Sequence, residues 1–385
     1  MNKKIVFIIT DYGSFNNFLG ELSVRLVEEG FEVSVLTSSE KVIKIKDKFN
    51  YLDRGVTFYY VDFPRSFNLI SHYRTSKKIH EIIEQICPNI ISIHFATAIF
   101  STLLSGKLLF KTIGTFHGLS FPIMDKFVNR NLFKIVELFS MRRLDEIILL
   151  NKSDYSIIKS IFDKKTSLLS TKGLGCDLEV FDKERYTNSK IEKLKHSIGV
   201  ESEDIVLAFT GRYVSFKGFH LVVKAFKYIE EHYKGFSLKL ITIGGFDKVH
   251  LTGLSHIEKE YFHNSTNIID IGFTSDVSDY LAISDLFVFP SKREGIPVCI
   301  IESLAMEVPV ITLNSRGCND LVEHGVNGLL LSRDSSYVDL AKEIVKLIND
   351  EMYLKKNKSI MQNNRSDLSR ANFIENQLVY FNKLK

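Results

Sequence analysis

Short apolar runs alternate with amphipathic stretches along nearly the whole chain, which is the pattern of parallel strands joined by crossover helices. In the first half the runs predict strands at Lys4 to Ile9, Phe31 to Thr37, Val56 to Val61, Ile90 to His94, Lys111 to His117, Asp145 to Leu150 and Ser167 to Lys172. Helical periodicity predicts a helix from Phe15 to Glu29, opening after a loop Asp11-Tyr12-Gly13-Ser14, and another from Asp125 to Arg143. The series stops at Gly173, and a charged, weakly apolar stretch to about Glu203 reads as an interdomain linker. A second series follows at Ile205 to Gly211, Leu238 to Gly244, Asn267 to Ile271, Asp285 to Phe289, Pro309 to Thr312 and Gly328 to Leu331. From Tyr337 to Lys385 the period is helical. The fold class expected is α/β, with two Rossmann-like, doubly wound sheets facing a cleft and ligand at the carboxyl ends of the strands. The expected domains are 1–178, joined by a C-terminal helix at 368–385, and 179–367.

With 385 residues the chain is long enough for two cores, and its 45% apolar and 25% charged residues are ordinary for a globular protein. A net charge of +4, without a Lys/Arg run, gives no support to nucleic acid as a partner. That charge is uneven: 12 Lys/Arg stand against 6 Asp/Glu between Ser101 and Lys172, so the remainder is slightly acidic. The four cysteines are scattered without paired spacing, which argues against a disulfide framework or a zinc site and fits a reducing cytoplasm. The apolar run Ile5 to Ile9 is too short for a signal peptide and reads as a first strand. Gln85 to Gly106 carries no charged residue, but Pro88, Asn89, His94 and several Ser/Thr make it a buried strand and helix start, not a membrane span.

The chemistry concentrates in Glu294-Gly295-Ile296-Pro297-Val298-Cys299-Ile300-Ile301-Glu302. A buried strand precedes it, and Pro297 suits the first turn of a helix, where its missing N–H costs nothing. That places Glu294 on the loop and Glu302 about a turn into the helix, among buried neighbours. Free N–H groups at the helix start favour a phosphate, and carboxylates accept hydrogen bonds from sugar hydroxyls. After the strand ending at Thr210, Gly211-Arg212-Tyr213-Val214-Ser215-Phe216-Lys217-Gly218 is expected to set two cations on a strand-to-helix loop, where they could neutralise a diphosphate leaving group. His117, followed by Gly118, ends an apolar strand with its ring free to project into the cleft.

With these residues the chain resembles family 4 of the retaining glycosyltransferases, which have the glycosyltransferase-B fold. The likeness rests on Gly211-Arg212 with Lys217-Gly218, the stretch from Gly272 to Ser291, the E-x7-E motif from Glu294 to Glu302, Pro309-Val310-Ile311 and Gly325-Val326-Asn327-Gly328-Leu329. It implies that Glu294 binds hydroxyls of the transferred sugar and Glu302 the nucleotide ribose. By the same likeness Arg212 and Lys217 hold the diphosphate, Gly295, Ile296, Pro297 and Val298 form the loop at the donor sugar and phosphate, and His117, with Glu294 one of the two expected catalytic residues, lies near the donor sugar or its phosphate. Gly13 falls where the family has a glycine-rich turn close to the diphosphate, although the usual paired glycines are here Gly13-Ser14-Phe15-Asn16-Asn17-Phe18.

The implied reaction is a retaining transfer of a hexose or N-acetylhexosamine from a nucleotide-sugar, with uridine diphosphate as the expected carrier, to a lipid-linked or other glycan in surface polysaccharide biosynthesis. No cofactor and no metal are expected, because no DxD sequence sits at a strand end. The cations and apolar residues of Lys107 to Lys111 and Lys126 to Lys134, continuing to Arg142-Arg143, suit contact with an anionic membrane. The expected location is the cytoplasm, at the inner face of the cell membrane. Two other readings stay open: a non-catalytic nucleotide-sugar-binding partner subunit, and a sugar-nucleotide epimerase or phosphorylase on the same architecture.

Overall fold

The computed structural model describes residues 3–40, 46–64, 66–247, 249–350 and 360–384. The chain divides into two compact units, Met1–Ser170 with Phe373–Lys385, and Thr171–Asn372.

The first unit is built on seven parallel strands: β1 (Lys4–Asp11), β2 (Glu32–Ser38), β3 (Val56–Tyr60), β4 (Ile90–His94), β5 (Lys111–Phe116), β6 (Glu146–Leu149) and β7 (Thr166–Leu168), in the order β3-β2-β1-β4-β5-β6-β7. β1 is the first central strand, and Ile5 to Ile9 are all fully buried, as expected of a parallel strand covered on both faces. Val6 and Ile8 pack with Ile79 and Ile83 of the helix Leu69–Ile86 on one face. On the other, Phe7 meets Phe381 edge to face at 5.9 Å. Phe381 belongs to the helix Arg370–Lys383, which is tied to this unit also by an Arg25–Glu375 ion pair of 2.9 Å and a Tyr380–Glu146 hydrogen bond.

Six parallel strands form the second unit: β8 (Ile205–Tyr213), β9 (Leu238–Phe246), β10 (Ile268–Gly272), β11 (Leu286–Phe289), β12 (Val310–Leu313) and β13 (Gly328–Leu331), ordered β10-β9-β8-β11-β12-β13. Both sheets are therefore doubly wound, each with its strand order reversing beside its first strand.

The predicted strands are all present, with shifts at their ends. β7 stops at Leu168, and β8 and β9 pair on as far as Tyr213 and Phe246. The helix predicted from Phe15 begins earlier and is broken in two, Tyr12–Phe18 and Gly20–Glu28, at Leu19 (φ −120°). The charged stretch read as a linker packs into the second unit: Cys176 exchanges backbone hydrogen bonds with Leu368 and Arg370, both 2.8 Å, and the helix Asn188–Ser197 lays Ile191 and Leu194 on the core. Its apolar residues are few, but they recur at helical spacing. No helix among the described residues is long and apolar enough to cross a membrane.

Candidate active site

The site in the second unit starts from β11, whose four residues are all buried and whose carboxyl end delivers Pro290 and Ser291. The helix Val298–Ala305 begins with Pro297 as its cap, without a side-chain hydrogen bond to its first N–H groups. Pro297 thus stands just before the first turn, one position earlier than the sequence suggests, because its ψ of 114° is extended. Between them Ser291 organises the loop. Its Oγ lies 2.8 Å from Glu294 Oε1 and 3.1 Å from the Phe216 carbonyl, and its own carbonyl accepts from Ser315 Oγ at 2.7 Å.

Glu294 is only 9% exposed, and a carboxylate so buried needs a partner. Lys217 supplies it, with Nζ 2.5 Å from Oε1 and 5.4 Å from the centre of the Phe289 ring. Burial alone disfavours the ammonium charge, but the charge and hydrogen bond of Glu294 more than offset that, so the Lys217 pKa is raised. An ammonium has three N–H donors, and the carboxylate occupies one direction. Arg316 Nε donates to the Glu294 carbonyl at 3.0 Å, fixing the backbone of the same residue.

Two glycines make this approach sterically possible. Gly218 has φ +80°, and a Cβ there would fall 2.2 Å from the Pro290 carbonyl oxygen. Gly317 has φ +78°, and its Cβ would fall 2.2 Å from that of Gly295. Side chains at either point would push the loop bearing Glu294 away from its supports.

Arg212 and Lys217, which the sequence sets on one loop, come from different elements. Arg212 lies within the extended end of β8, and Lys217 closes the 3₁₀ turn Ser215–Lys217. The Arg212 guanidinium is half-exposed, pairs with Asp247 Oδ2 at 2.7 Å and lies 5.5 Å from the Phe216 ring. The N–H groups of Val249 and His250, together with Arg212, hold the Asp247 carboxyl well below the usual range. Glu302 sits in the second turn of Val298–Ala305 and is partly exposed, so of the two glutamates Glu294 is the buried one. Cys299, in the first turn between them, has its thiol pushed well up, by burial before any neighbouring charge. Gly295 and Ile296 complete the loop before Pro297, and Val298 opens the helix.

Gly13 and His117 lie in the first unit. Gly13 is in the first turn of Tyr12–Phe18 and not in an open loop. The helix starts early because Asp11 caps it, accepting from Ser14 N at 2.9 Å and Ser14 Oγ at 2.6 Å. His117 follows β5 directly. Its Nε2 is 3.2 Å from His94 Nδ1, and its ring stacks on Phe95 at 4.2 Å, with Phe18 at 5.4 Å. Burial among these rings lowers its pKa to about 3.

Two further groups escape a reading by motif. His94 Nε2 lies 3.0 Å from Ser92 Oγ, and the signal is their i, i+2 spacing on one face of β4. Glu137, in the helix Phe127–Arg142, accepts from the N–H groups of Ser120 and Phe121 at 2.8 and 3.4 Å, bracing the segment that follows His117. Burial pushes its carboxyl up to about 7. It falls between Phe133 and Met141 at i+4 and i+8 on the apolar stripe, which is where the sequence marks it. Among the described residues no three His, Cys, Asp or Glu side chains converge as a metal site.

Comparison with known proteins gives two family matches that together span most of the chain: Glycosyl transferases group 1 over residues 190–367 and Glycosyltransferase Family 4 over residues 16–163. A capsular polysaccharide biosynthesis glycosyltransferase, CapM of Staphylococcus aureus, is 32% identical over 228 residues, 57% of this chain and 57% of that relative. The Escherichia coli UDP-Gal:alpha-D-GlcNAc-diphosphoundecaprenol alpha-1,3-galactosyltransferase is 24% identical over 73% of this chain and 72% of its own length. Of solved structures, sucrose-phosphate synthase from Thermosynechococcus elongatus matches with TM-score 0.79 and 16% identity over 100% of this chain and 99% of that one. HepE of Anabaena in complex with UDP matches with TM-score 0.77 and 16% identity over 99% and 100%. The architecture is that of the glycosyltransferase-B fold.

Proposed function

The chain belongs to the family 4, group 1 glycosyltransferases, and from that premise we propose that it transfers a hexose or N-acetylhexosamine, with retention, from a UDP-sugar to a lipid-linked glycan of a bacterial-type cell surface. The observation that carries this reading is the Lys217–Glu294 pair, buried at the carboxyl end of the second sheet beside a helix start without a side-chain cap. An ammonium and free backbone N–H groups suit a diphosphate, and Glu294 is assigned to hydroxyls of the transferred sugar. Arg212 contributes a second cation to the diphosphate, and Glu302 takes the ribose. His117 and Gly13 are assigned to the donor sugar and phosphate by the resemblance alone. UDP as the carrier is supported by the relative that uses UDP-Gal and by the neighbour bound to UDP.

In the proposed step the bond from the anomeric carbon to the leaving phosphate oxygen breaks, and its electron pair leaves with the nucleoside diphosphate. The acceptor hydroxyl oxygen bonds the same carbon on the same face, and its proton passes to the leaving phosphate oxygen. Lys217, Arg212 and the helix start stabilise the growing negative charge, so the reaction is proposed to need no metal and to persist in EDTA.

The lipid-linked acceptor is supported by the diphosphoundecaprenol substrate in one relative's name and by the surface of Phe127–Arg142. There Phe127, Val128, Leu132 and Ile135 are exposed among Lys126, Arg130 and Lys134. This mixture suits the inner face of a cell membrane, each cation contributing on the order of 1 kcal/mol against anionic lipid.

The test is a panel of nucleotide-sugars scored by thermal stabilisation. A UDP-sugar at 100 times its Kd should add about 2.7 kcal/mol, and Glu302→Ala should remove most of that response. An unchanged response in Glu302→Ala would refute the ribose assignment.

A further inference from the structure

Beneath His117 lies a row of polar groups whose order fixes where the imidazole proton sits. Ser92 and His94 point to the same face of β4, and the row runs from Ser92 Oγ to His94 Nε2 at 3.0 Å and from His94 Nδ1 to His117 Nε2 at 3.2 Å. Aromatic rings enclose it: Phe7 lies 6.0 Å from His94, and Phe95 and Phe18 lie against His117. Phe95 adopts φ +72°, ψ 142° to begin the helix Ala96–Leu103, a conformation costing about 1–3 kcal/mol for a residue with a side chain. Its N–H is held by the Thr115 carbonyl at 3.1 Å, so the strained backbone keeps the ring stacked on His117.

In this enclosure burial lowers both imidazole pKa values, and each neutral ring carries one N–H. Ser92 is 2% exposed, and His94 Nε2 is its one hydrogen-bond partner among the described residues. A hydroxyl proton left unmet costs about 1–3 kcal/mol, so Ser92 donates to Nε2. The proton of His94 then sits on Nδ1 and is donated to His117 Nε2. His117, a residue of intermediate burial, is left with its own proton on Nδ1.

We propose that Ser92 and His94 are positioning residues that hold His117 as its Nδ1–H tautomer, making it a hydrogen-bond donor toward an oxygen of the substrate. The chemistry this selects is a lone-pair oxygen, from either a phosphate or a sugar, and it disfavours a group that must itself donate. The proposal rests on the assignment of His117 to the donor substrate, but its test separates the two.

The experiment is a long-range proton–nitrogen correlation on the full chain labelled with ¹⁵N-histidine, which reports which ring nitrogen bears the proton. In the wild type His94 and His117 should both appear as Nδ1–H tautomers. Ser92→Thr keeps the hydroxyl and should keep both signals. Ser92→Ala should leave both rings as tautomer mixtures and lower kcat about tenfold with little change in donor KM, a size ordinary for a group acting through another. A wild-type His117 protonated at Nε2, or Ser92→Ala with unchanged tautomers, would overturn the relay. If the tautomers are as expected but His117→Ala transfers sugar at the wild-type rate, the relay stands and the assignment of His117 to the donor is wrong.

Discussion

Single residues divide sharply into those the sequence announces and those it hides. Glu294, Glu302 and Lys217 were legible because their types and spacing fit a phosphate and a sugar, but their pairing was not, since Lys217 and Glu294 lie 77 positions apart and meet through β8 and β11. His94 and Glu137 were hidden because a buried polar residue inside an apolar run looks like noise until its partner is known. Glu137 gives this scale its own test. Its carboxyl is raised from 4.5 to about 7, chiefly by burial, so between those values the folded chain keeps a proton that the unfolded chain has released. Stability from this group is therefore complete below about pH 4.5, falls as pH rises and is lost above about 7, by roughly 3 kcal/mol at about 1.36 kcal/mol per pH unit. Glu137→Gln should abolish that slope. Urea midpoints at pH 5.5 and 8 measure it, and equal pH dependence in the two proteins would contradict the shift.

At the scale of elements, strands were the easiest to read, because a parallel strand buried on both faces is written as an unbroken apolar run such as Ile5 to Ile9. Their ends were harder, as they depend on neighbours. β8 continues to Tyr213 only because β9 runs alongside, and that continuation takes Arg212 out of the loop and toward Asp247. Helix starts failed where the cap was the signal: Asp11 opens Tyr12–Phe18 three residues before the predicted start and encloses Gly13. The turn from β8 into Phe219–His232 offers a sharp test. Gly218→Ala must place a Cβ in the left-handed region against Pro290, at about 1–2 kcal/mol for the backbone alone. We expect a lower unfolding midpoint and, because Lys217 is displaced from Glu294, a loss of the UDP-sugar stabilisation. Retention of both would show that the loop yields without consequence.

For the whole molecule, two alternating series separated by a change in composition were enough to reveal two parallel sheets. The stretch from Gly173 to about Glu203 misleads by its charge, since its few apolar side chains are still spaced to pack on the second unit's core. The exposed face of Phe127–Arg142 bears on where the molecule works. Replacing both Phe127 and Ile135 by Ser should reduce sedimentation with vesicles containing anionic lipid by at least tenfold, a loss that about two CH₂ groups withdrawn from lipid already produce at about 0.8 kcal/mol each, while leaving binding of a UDP-sugar intact. Equal sedimentation of variant and parent would remove the case for membrane contact.

The edge-to-face meeting of Phe7 with Phe381 links residues from opposite ends of the sequence inside one unit. Translation therefore finishes the second unit's strands before Phe381 can reach Phe7. A nascent first sheet waits with Phe7 short of one of its ring partners, a window in which a chaperone has apolar surface to hold.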